Sequence, residues 1–62
     1  MLNVGDLVVY HYKSINTPPA VGIVFAIDRE RQMADVMWWE DGHEWGVKDE
    51  IRHVEILKVK ND

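Results

Sequence analysis

Apolar and polar positions along this chain follow the two-residue period of a pleated strand, interrupted by turn signals every few residues. After an Asn3-Val4-Gly5-Asp6 turn, the stretch Leu7–Tyr12 predicts a first strand, with Val8, Tyr10 and Tyr12 on one side and Leu7 and Val9 on the other. Apolar residues on both sides imply a strand coiled at a barrel corner or covered on its second face. A polar loop, Lys13 to Pro19, follows, and its Pro18-Pro19 pair can donate nothing to a ladder. The Val- and Ile-rich run Ala20–Ile27 predicts a second strand in which Gly22 marks a bulge or a close backbone approach.

The charged segment Asp28 to Gln32 reads as a hairpin turn, and Met33–Trp39 as a third strand. There Ala34, Val36 and Trp38 alternate with Asp35, Met37 and Trp39, and Asp35 marks its own set as the solvated one, so Val36 and Trp38 are the expected core residues. Asp41-Gly42 is a strong tight-turn signal, because glycine accepts positive φ at no steric cost. A short fourth strand over Glu44–Val47, a 3₁₀ turn over Lys48–Arg52 and a closing strand over Val54–Val59 complete the prediction. An amphipathic helix over residues 48–60 is excluded by the β-branched content and by the two apolar faces of Val54, Ile56, Leu57 and Val59. The expected fold is therefore all-β, one domain over residues 1–62: an SH3-like small five-stranded barrel with a 3₁₀ turn before the last strand.

Composition narrows the chemistry. Sixty-two residues supply one small core, and the 47% hydrophobic content, with three Trp, must stabilise it without any cysteine for a disulfide or a thiolate zinc site. No apolar run approaches the ~20 residues that span a bilayer, and no secretory leader is visible, so neither a membrane role nor secretion is expected. The net charge of −4, with cations spread along the chain, argues against nucleic acid as a partner. His11, His43 and His53 lie on three different predicted elements and none is at short ligand spacing, so no metal site is expected. Ser14 and Thr17 have no positioned base nearby in sequence, the glycines are isolated, and the acids sit at turns and strand edges. No catalysis, cofactor or small-molecule substrate is expected.

The aromatic residues carry the functional signal. Trp38 and Trp39 are adjacent on one strand and point to opposite faces, so one of them stands outside the core. Trp45 lies across the Asp41-Gly42 hairpin. An exposed patch of Trp39, Trp45 and Met37, rimmed by Glu40, Asp41 and Glu44, is the expected contact surface for a protein partner, with Arg and Lys of that partner meeting the acids. Self-association through the same patch would bury further indole surface. A register slip of one residue would exchange the faces of Trp38 and Trp39.

Gly5-Asp6-Leu7-Val8, Val21-Gly22-Ile23-Val24, Val36-Met37-Trp38, Asp41-Gly42 and Val54-Glu55-Ile56 together resemble small SH3-like barrel proteins of tailed bacteriophages, of the marine and cyanobacterial-host type. That resemblance spans nearly the whole chain through short elements. It implies a phage protein, a virion accessory such as a capsid or neck component, located in the virion or in the host cytoplasm. More distantly the pattern is similar to KOW and Tudor barrels, which implies as the alternative a nucleic-acid- or translation-associated binding module. The chain departs from the first in being acidic and lacking a basic loop, and from the second in showing no clear four-aromatic cage.

Overall fold

The computed structural model describes residues 1–57. Five strands, β1 (Leu7–Tyr10), β2 (Ala20–Asp28), β3 (Met33–Glu40), β4 (His43–Glu50) and β5 (Glu55–Ile56), form one antiparallel sheet in the order β4-β3-β2-β1-β5. A single 3₁₀ turn, Ile51–His53, precedes β5. Among the described residues β4 and β5 are the two edges of the sheet, and no ladder joins them.

The element types agree with the sequence pattern, and the boundaries differ for local reasons. β1 ends at Tyr10 rather than Tyr12, because its last partner is Ala20 and the residues before Ala20 are the two prolines, which have no N–H to pair. β4 runs three residues past Val47. The two-residue loop fixes Glu40 opposite His43, and β3 then offers partners down to Met33, opposite Glu50. The 3₁₀ turn consequently starts at Ile51 rather than Lys48, where the Ile51 N–H donates to the Gln32 carbonyl (2.9 Å). β5 is two residues long, and the part of the expected closing strand at residues 58 and 59 lies outside the described residues.

Directly opposed residues in an antiparallel pair share a face. Val8, Gly22, Trp38 and Trp45 therefore form one transverse row of the inner face, and Val24, Val36 and Val47 another. The outer face carries Leu7, Ile23 and Met37, and beside them Val9, Val21, Trp39 and Glu44. The register shifts between Val24 and Ala26, so the bulge is at Phe25 and not at Gly22. It turns Ile27 inward opposite Ala34.

The core is Val8, Val24, Ala34 and Val36 with Leu2 laid across them, and Ile27, Trp38, Ile51, Val54 and Ile56 pack around it. Among the described residues its largest fully buried side chains are three valines. Leu2 reaches this position because the N-terminus is tied down at several points. Gly5, at φ +95°, donates to the Val24 carbonyl (2.8 Å), and the Arg29 guanidinium donates to the Leu2 carbonyl (2.6 Å).

Candidate functional site

The turn Asp41-Gly42 has φ of +51° and +79°, the left-handed pair of a type I′ hairpin whose twist matches its strands. This turn sets the β3–β4 register and so places Trp38, Trp39 and Trp45. Trp38 opposes Trp45, and Trp39 opposes Glu44. The patch expected from sequence is thereby divided: Trp39, Met37 and Glu44 stand on the outer face, Trp45 and Glu40 belong to the inner face, and Asp41 sits in the turn between them. The expectation that Trp39 and Trp45 share one surface is corrected by the cross-strand pairing, which puts their rings on opposite sides of the sheet.

On the outer face Trp39 is 45% exposed, and its indole N–H donates to the Glu44 carboxylate (2.9 Å). It continues an apolar stripe with Met37, Val21, Ile23, Phe25 and Leu7. Beyond it, Asp35 faces Lys48 (3.8 Å).

The inner face ends differently. Tyr10, Tyr12, Ala20, Trp38, Trp45 and Asp49 line a groove of about 160 Å³. Tyr10 and Tyr12 meet edge to face, with centroids 5.0 Å apart and planes at 81°. The Tyr12 hydroxyl donates to the Glu40 carboxylate, which anchors the segment after β1 to the end of β3. That hydrogen bond, then partial desolvation and the neighbouring negative charges, holds the Tyr12 phenol above its ordinary ionisation range. The four-aromatic arrangement that the linear sequence does not display is thus assembled from β1, the residues after it, β3 and β4. Part of it is legible without coordinates, since a two-residue loop at Asp41-Gly42 already requires Trp38 to face Trp45. The approach of Tyr10 and Tyr12 is not, because it depends on β1 crossing beside β2.

The histidines lie apart. His11 faces Glu55 (3.4 Å), His53 faces Glu50 and Asp49 (3.6 and 3.8 Å), and His43 opposes Glu40 across the hairpin. Among the described residues no group of three metal-ligating side chains is brought together. No described helix is long and apolar enough to cross a membrane.

Comparison with protein-family models, with curated proteins and with solved structures finds no match to this chain.

Proposed function

We propose that this chain is a non-enzymatic protein-interaction module that docks a basic segment of its partner, seating a Lys or Arg side chain in the inner-face groove. The observation that carries this reading is the convergence of Tyr10, Tyr12, Trp38 and Trp45 with Asp49 in one concavity, and with Glu40 held behind Tyr12. A cation over an aromatic face gains about 0.5–2 kcal/mol, more as water is excluded. The carboxylates add direct attraction, and the net charge of −4 steers a basic partner inward. On the outer face the Glu44 carboxylate already accepts from the Trp39 indole and Asp35 faces Lys48, so the acids there are engaged within the chain and that stripe is the weaker candidate.

The strand order, with a 3₁₀ turn before the last strand, supports the SH3-like reading of the fold. The resemblance to small phage barrels supports a setting in or around the virion, where the partner would be another phage protein.

Calorimetric titration with a Lys- and Arg-rich peptide tests the proposal, against an acidic peptide of equal length. Saturable binding of the basic peptide alone is expected, weakened by added salt and about tenfold by Trp45→Ala, in line with loss of one aromatic contact. Binding that ignores Trp45→Ala and Tyr12→Phe/Glu40→Gln would sink it. Salt-sensitive binding of single-stranded RNA, abolished by Arg29→Glu with Arg31→Glu, would favour the nucleic-acid alternative instead.

A further inference from the structure

We infer that β4 is a self-pairing edge, through which two copies of this chain join antiparallel into one continuous sheet with Gly46 on the two-fold axis. This rests on the strand edge and its residue order and not on the groove reading, with which it shares Trp45 and Asp49.

β4 is eight residues long, and among the described residues it pairs with β3 alone. Its outer side therefore presents a row of N–H and C=O groups able to template another strand. Two side chains on its inner face are left partly uncovered at that edge: Trp45 and Val47 are each 39% exposed.

The sequence of β4 selects the occupant. When a two-fold axis perpendicular to the sheet joins two copies of one strand, a residue must sit on the axis and each face continues into the same face of the copy. An axis on Glu44 or on Lys48 sets that charge against itself. An axis on Val47 opposes Glu44 to Glu50, and one on Trp45 confines the ladder to His43–Val47, with no opposite charges paired. With Gly46 on the axis, no like charges meet. Glu44 then faces Lys48 of the second copy, twice over by symmetry, His43 faces Asp49, and Trp45 faces Val47. Opposite charges and aromatic–aliphatic pairs directly across a ladder are each favourable, and like charges there are unfavourable.

Extended through β3, the same register produces matched transverse rows. The inner row reads Val36, Val47, then Trp45 and Trp38 of the second copy, apolar throughout. The outer row reads Asp35, Lys48, then Glu44 and Trp39 of the second copy. The Asp35–Lys48 ion pair and the Trp39–Glu44 hydrogen bond already present in each chain become its two halves. At the axis, Gly46 has no side chain to crowd its counterpart.

Sedimentation equilibrium on the full chain tests the inference, with far-UV circular dichroism to confirm that each variant folds. The wild-type chain is expected at twice its 7.3 kDa mass. Glu44→Lys and Lys48→Glu are each expected to weaken association by about tenfold or more, since each sets like charges in two symmetry-related pairs. An equimolar mixture of the two variants is expected to recover the dimer, because position 44 of one then opposes position 48 of the other with opposite charge in both places. The double exchange E44K/K48E restores both pairs within one chain and serves if a single variant folds poorly. A wild-type chain that stays at 7.3 kDa across the concentration series overturns the inference. So do single variants that dimerise like the wild type, or a mixture that remains monomeric.

Discussion

A β-carbon on Gly22 would lie 2.8 Å from Cε3 of Trp38, and equally close to the Met37 carbonyl oxygen. Glycine at this point lets the indole lie across β2, next to Val8, and so roofs the small valine core. Because one obstructing atom is backbone, the strand cannot yield by a rotamer change. Gly22→Ala is expected to lower stability by about 1–3 kcal/mol, the usual cost of overpacking. Gly46 is the control, with the Met37 methyl 3.9 Å from its missing Cβ; at concentrations dilute enough to keep the chain monomeric, Gly46→Ala should be neutral or slightly stabilising. Urea denaturation midpoints at unchanged slope would separate the two, and equal midpoints would refute the packing argument.

Tyr12 provides a pH signature. Its phenol is held protonated above the ordinary value of 10.0, chiefly by donating to Glu40. The folded state therefore binds this proton more tightly than the unfolded state. The resulting stabilisation is complete below about pH 10 and is lost as pH rises through the folded-state value. Difference absorbance at 295 nm between wild type and Tyr12→Phe should titrate above pH 10, and Glu40→Gln should move it down. A midpoint unmoved by Glu40→Gln would exclude that hydrogen bond in solution.

Leu2 and Arg29 should behave as a coupled pair. Leu2 is 5% exposed, packed on Val8, Val24, Ala34 and Val36, and its carbonyl accepts from Arg29. Leu2→Ala is expected to cost about 2–5 kcal/mol, as for other buried leucines. Arg29→Ala should cost about 1 kcal/mol, as for a net hydrogen bond. The double variant should lose less than the sum, since without the apolar anchor the guanidinium has less to hold in place. Strict additivity in thermal denaturation would show that the two act separately.

Indole accessibility should follow the pairing rather than the sequence neighbourhood. Trp39 and Trp45 are the exposed rings and Trp38 is packed against the core. Acrylamide quenching of fluorescence should fall on Trp39→Phe or Trp45→Phe and change little on Trp38→Phe. A large fall on Trp38→Phe would mean that β3 is slipped by one residue.

Much of this architecture is written locally. The Pro18-Pro19 pair, the charged turn at 28–32 and Asp41-Gly42 determine where strands stop, because missing N–H groups and positive φ are properties of single residues. Alternation within β3 marked Val36 for the interior, and a two-residue loop dictates that Trp38 meets Trp45. Tertiary structure decided the rest. The bulge at Phe25 changes which β2 residues point inward, Leu2 becomes core only because Arg29 and the Gly5 turn fold it back, and β4 lengthens because β3 supplies partners to its far end. The aromatic groove belongs to this second class, since Tyr10 and Tyr12 reach Trp38 and Trp45 only through strands distant in sequence, and the side on which each ring stands depends on pairing that no single segment encodes.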